Sequence, residues 1–197
     1  MRSLSNRYDA AVAAIDAANA EDPNTVNVRG RKLPLALAHG QLAAGWIEQL
    51  VDEPDEGLLL AARAHHLLRW QVSRDSYPAG RPGYLRWRRD QKARHAGDVA
   101  EILEACGYAA PEIERVQRLI RREQVDGAQA VEDAACLVFI ETQLASLAAR
   151  MDHQLMLEVI RKTARKMSKS GLDLVASIPL TDPEQALLGE ALDGPLA

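Results

Sequence analysis

Apolar residues recur at spacings of three and four along nearly the whole chain, and sustained apolar–polar alternation is almost absent. A period near 3.6 buries one face of a helix, whereas a half-buried strand needs a period of two. Composition agrees. The hydrophobic residues, 47% of 197, are mostly Ala, Leu, Val and Ile, and only eight residues are aromatic. A β-sandwich or barrel normally draws on more β-branched and aromatic side chains. The expected fold is therefore all-α: one compact domain of seven to eight helices over residues 1–197, with its core at about 5–170. Residues 171–197 read as a tail carrying a short helix.

The spacing predicts helices over Ser5–Ala20, from near Pro34 to Leu50, over Glu56–Trp70 and over Tyr84–Cys106. Others follow from Pro111, over Gln129–Arg150 and over Asp152–Ser170, the last capped by Gly171, and a short one begins after Asp182-Pro183. Polar Asn24–Arg31 reads as a loop. So does Ser73–Gly83, where two prolines and two glycines fall within six residues. No apolar run reaches the roughly 18 residues that a membrane span needs. Arg7, Asp9 and Asp16 interrupt the N-terminal apolar stretch, which argues against a secretory signal. Two cysteines make no disulfide framework, so a cytoplasmic, reduced protein is expected.

Charge is unevenly spread. Between Arg63 and Arg94 lie nine basic residues against only Asp75 and Asp90, although the whole chain carries a formal charge of −4. Trp70, Tyr77, Tyr84 and Trp87 sit in the same stretch. Arginine forks and tyrosine hydroxyls suit phosphate and carboxylate groups, so Arg69, Arg74, Tyr77, Arg81, Tyr84 and Arg88 are the candidate anion-binding residues. On the 152–170 helix, Lys162, Lys166 and Lys169 share one face that reads as solvated surface.

Three polar positions interrupt apolar helix faces. His66, with His65 before it, follows Leu59 and Ala62 at helical spacing. His95 precedes Val99, Ile102 and Cys106 on one face, and Asp133 precedes Leu137, Ile140 and Leu144. A buried imidazole or carboxylate needs a partner, and a metal ion is one. His66, His95 and Asp133, with His65 and His39 as further donors, are the candidate ligands of a divalent transition metal such as Mn, Fe or Zn. Glu132 is the candidate catalytic proton carrier.

The runs AARAHHLLRW, SRDSYPAGRPGYLRWRR, VEDAACLVFIE and RKTARKMSKSG resemble a family described as a domain of unknown function, the one numbered 4202, across most of the chain. That resemblance implies no activity. A second likeness concerns layout. His95-x3-Val99-Ala100-x-Ile102-Leu103, Gly107, the Ile113–Ile120 stripe and Glu132-Asp133-Ala134 resemble the later half of HD-domain metal phosphohydrolases. It implies that His65-His66 takes the place of the His-Asp pair, with His39 upstream, Asp133 as the distant aspartate and His95 as an accessory ligand. The pair's aspartate is His66 here.

Three functions remain open on this reading. The first is an HD-like metal-dependent hydrolase acting on a small phosphorylated or nucleotide-like anion. The second is a non-catalytic anion or nucleic-acid (RNA) binder using stretch 63–94. The third is an HD-like di-iron oxygenase.

Overall fold

The computed structural model describes residues 4–193 and is all-α apart from one small hairpin. Helix α1 (Asn6–Ala20) starts at Ser5, whose hydroxyl accepts the Tyr8 N–H, and buries Ala11 and Ile15. The polar segment expected to be a loop is instead two antiparallel strands, β1 (Thr25–Val28) and β2 (Arg31–Pro34). They pair because Arg29 (φ 50°) and Gly30 (φ 80°) make a two-residue turn of left-handed conformation, the type that matches strand twist.

Helix α2 (Leu35–Leu50) is buried around most of its circumference through Ala36, Ala38, His39, Gly40, Ala43, Ala44, Trp46 and Ile47. Gly40 lets it approach the end of α3 (Glu56–Arg63). A Cβ at position 40 would lie 2.4 Å from the Arg63 carbonyl oxygen. Helix α3 is capped by Asp55 and stops seven residues before the expected Trp70. The reason is local. In a continuing helix the Ala62 carbonyl would accept the His66 N–H, but here it accepts the His65 N–H and, at 2.7 Å, His65 Nδ1. The chain then turns through residues 64–68, with Leu68 left-handed (φ 52°), into a 3-10 turn at Arg69–Gln71.

Helix α4 (Gly80–Ala105) begins four residues earlier than the composition of the preceding loop suggests. Pro82 falls in its first turn, where no backbone N–H is needed, and Gly83 lies so close to the Pro78 carbonyl that a Cβ would sit 1.9 Å from it. Helices α5 (Ala110–Arg121) and α6 (Ala128–Ala148) follow as the spacing predicts. The expected helix over 152–170 is two: α7 (His153–Ala164) and α8 (Lys169–Leu174). Gly171 is not a cap but lies within α8, where an added Cβ would meet Asp133 Cγ at 2.7 Å. Helix α9 (Asp182–Asp193) packs on α7 and buries Leu188 and Ala191, so the segment expected as a tail joins the core.

A single hydrophobic cluster runs from Ala11 to Ala191, with Ile47, Leu60, Leu67, Leu103, Leu119, Leu137 and Leu144 almost wholly enclosed. No helix among the described residues is long and apolar enough to cross a membrane.

Candidate ligand-binding site

A cavity of about 1050 Å³ opens between α2, the turn after α3, the first half of α4, α6 and α7. Its size suits a small-molecule ligand. The early end of α3 makes it. Had the helix continued to Trp70, His65 and His66 would lie on a rod; the turn instead folds them and Arg69 into one wall with His39 of α2 and His95 of α4.

All four of these histidines line the cavity. His39 and His66 are joined Nδ1 to Nδ1 at 3.0 Å, and His39 Nε2 lies 3.1 Å from Thr142 Oγ1. The His66 ring centre is 4.1 Å from that of His65 and 6.2 Å from that of His95. Three enclosed ring nitrogens lack hydrogen-bond partners: His65 Nε2 and both nitrogens of His95. Burial and the neighbouring Arg69 hold His39 at about 4 and His95 at about 3, so both are neutral near pH 7. The Leu67 carbonyl favours the charged form of His95 slightly, but from outside hydrogen-bonding geometry. Burial lowers His65 and His66 as well.

A second part of the lining is cationic. Lys92, Arg122 and Lys166 lie around a single carboxylate, Glu132, and Arg88 lies near Lys92 and Arg122. Arg122 donates from Nε to Glu132 at 3.0 Å, and its other nitrogens donate to the carbonyls of Leu119, Ile120 and Val131. Burial would raise the Glu132 carboxyl, but Arg122, Lys92 and Lys166 together hold it below the usual range. Burial, reinforced by Arg122, draws Lys92 down to about 8. Arg69 spans the two walls. Its guanidinium stacks on Trp87 at 4.4 Å, and burial pulls it down to about 10. Arg81, Lys162 and Arg165 complete the basic lining nearer the surface, and the one further acid, Asp22, accepts from the backbone N–H groups of Asn24 and Ala36.

Of the expected anion-binding residues, Arg69, Arg81, Tyr84 and Arg88 line the cavity; Arg74 and Tyr77 do not. Arg74 donates to the carbonyls of Tyr77, Pro78 and Gly80, and Tyr77 donates to Asp90, so both hold the loop before α4 in shape. The larger correction concerns Asp133. Its Oδ1 accepts from the Ser168 N–H at 2.8 Å and from Gln129 Nε2 at 2.9 Å, and its Oδ2 from the Ser168 hydroxyl at 2.6 Å. It buttresses the start of α8 and does not line the cavity. The expected meeting of His66, His95 and Asp133 is absent. Among the described residues no three His, Cys, Asp or Glu side chains converge so as to hold a metal ion. The donors thus do not fit the Mn, Fe or Zn centre that the HD-like layout implies, nor a di-iron pair, which needs free carboxylates.

Arg122 and the Thr142–Gln143 pair are functional candidates that the pattern did not single out. Arg122 is left-handed (φ 61°) just past α5, a position that reads as surface from spacing alone. Lys166, read as solvated face, is exposed as expected and also lines the cavity.

The fold and cavity define an all-α domain with a basic, histidine-floored pocket. The chain belongs to the family described as Domain of unknown function (DUF4202), whose model matches residues 9–188. No curated protein and no solved structure matches it.

Proposed function

We propose that the cavity binds a small phosphorylated molecule of the nucleotide or sugar-phosphate class. The observation that carries this reading is the gathering of Arg122, whose side chain is only 13% exposed, with Lys92 and Lys166 around one carboxylate, and of Arg88 near Lys92 and Arg122. Like charges gathered in a partly dry space repel one another, and a dianion relieves that repulsion while accepting their hydrogen bonds. Glu132 neutralises one cation and leaves the others to the ligand.

Calorimetry with AMP and ribose 5-phosphate tests this. One saturable site is expected, weakened about tenfold or more in Lys92→Met. Affinity should also fall as pH rises through about 8, where Lys92 loses its proton. Absence of saturable binding, or binding untouched by Lys92→Met, overturns the proposal. Turnover of the bound phosphoester, assayed with and without Mn, Fe or Zn, separates a hydrolase from a binder, with Glu132 and His66 as the groups within the cavity able to carry a proton. Binding to RNA instead would fall steeply between low and moderate salt and would spare the Lys92→Met variant.

A further inference from the structure

The hydrogen bonds around His39 fix more than its position. The Thr142 hydroxyl has one proton, and it is donated at 2.7 Å to the Val138 carbonyl, which can only accept. Thr142 Oγ1 must therefore accept from His39 Nε2–H. Gln143 Nε2 lies 3.4 Å from the same nitrogen; two donors cannot share that contact, so with Thr142 fixing the proton on His39 Nε2 the Gln143 carboxamide is turned to put its oxygen there. A neutral His39 protonated on Nε2 has a lone pair on Nδ1, so the 3.0 Å contact is donated by His66 Nδ1–H. His66 Nε2 is then unprotonated, and it is the ring nitrogen left open toward the cavity. His65 reaches the same state independently. Its Nδ1–H donates to the Ala62 carbonyl, so its Nε2 also carries a lone pair.

From this chain we infer that His66 Nε2 accepts a hydrogen bond from a hydroxyl of the ligand, which makes the ligand a phosphorylated polyol, a sugar or nucleoside phosphate, bound in one orientation. The inference rests on the phosphate reading above and extends it. Phosphate is an acceptor and has no place against His66 Nε2, which offers a lone pair and no N–H; it belongs at Lys92 and Lys166, since Arg122 is already engaged by Glu132 and three carbonyls. The part of the ligand at the histidine wall must bring donors. An ammonium group is disfavoured there, because Arg69 lies close enough to lower His39, His66 and His95. A hydroxyl carries a proton without a charge.

Ribose 5-phosphate and ethyl phosphate carry the same charged group and differ in hydroxyls. The full-length protein should bind ribose 5-phosphate at least about tenfold more tightly, since a hydrogen-bonding site left unfilled discriminates strongly. His66→Leu should erase the difference while leaving ethyl phosphate within about twofold of its original affinity. Thr142→Val, which frees the His39 tautomer, should reduce the difference to about threefold without changing ethyl phosphate binding. Equal affinity for the two probes, or equal loss of both in His66→Leu, overturns the inference while leaving the phosphate reading intact. Failure of both probes to bind overturns the phosphate reading instead. A long-range proton–nitrogen correlation spectrum gives a readout independent of any ligand. It should show His66 protonated on Nδ1, and a proton on Nε2 overturns the assignment even if the variants misfold.

Discussion

Two buried polar clusters adjoin α6, one at Asp133 near its start and one at Thr142 in its second half, and they are finished differently. At Asp133 both carboxylate oxygens are used: Ser168 donates twice and Gln129 once, and α8 is docked in consequence. At the histidine wall three enclosed ring nitrogens have no partner, and a fourth, His66 Nε2, opens on the cavity. An unpaired buried polar group costs about 1–3 kcal/mol. A cluster that serves only the fold has every reason to close on itself, as Asp133 does. One that leaves its nitrogens unpartnered carries that cost in the free protein, and of the four only His66 Nε2 can recover it directly from a ligand. The basic wall shows the same asymmetry in charge, since Glu132 offsets only one of the cations around it.

The sharpest way to expose the difference is acid. His39 and His95 titrate at about 4 and about 3 in the folded protein against 6.5 for a free imidazole, and His65 and His66 are lowered too. Below pH 6.5 the unfolded chain therefore binds more protons than the folded one, and stability must fall with pH. Each such histidine contributes a slope of about 1.4 kcal/mol per pH unit, acting down to its folded value. Chemical denaturation at pH 7, 6 and 5 should show a loss of several kcal/mol before most carboxylates titrate. A flat profile over that range would mean that the histidines have partners that keep their ordinary affinity for protons.

The next effect comes from the closed cluster. Asp133→Ala should cost about 3 kcal/mol in urea denaturation, because it strands the Ser168 N–H and hydroxyl and loosens α8 beneath Gly171. Ribose 5-phosphate affinity should stay within about threefold. If phosphate affinity collapses while stability holds, Asp133 belongs to the binding machinery and the two clusters are not separate in purpose.

Much of this was legible in the sequence, and the failures share a cause. The all-α architecture, the inward positions of His95 and Asp133, and the place of the 63–94 stretch along a cavity all follow from periodicity and charge, which are local signals, whereas spacing put His66 rather than His65 on the core face. Arg69, Arg81, Tyr84 and Arg88 were visible on those grounds. What spacing could not show was which inward groups meet. Asp133 and His95 each face the interior of a helical domain, but α8 reaches Asp133 first, through a serine 35 residues away. Nor could spacing show that a histidine would end its own helix. His65 does so by taking the Ala62 carbonyl, an i to i−3 side-chain contact that competes with the helix and moves Arg69 into the cavity. The hairpin was missed because its strands are four residues each and its one turn signal, Gly30, sits among polar residues that also suit a loop.

The smallest effect expected from the comparison has the opposite sign. His95 is 1% exposed and both its nitrogens are unpartnered, so its imidazole brings desolvation cost without the hydrogen bonds that normally offset it. Leucine has a similar volume and no polar atoms, and its neighbours along α4, Ala96 and Val99, are wholly enclosed. His95→Leu should therefore raise stability at pH 7 by about 1 kcal/mol, whereas the same removal of a polar group at Asp133 lowers it. The variant should also flatten the acid slope by one proton, which separates loss of a titrating group from better packing. A destabilised His95→Leu protein would show that the imidazole is satisfied in solution, by a water or by an ion, and that the histidine wall is as closed as the Asp133 corner.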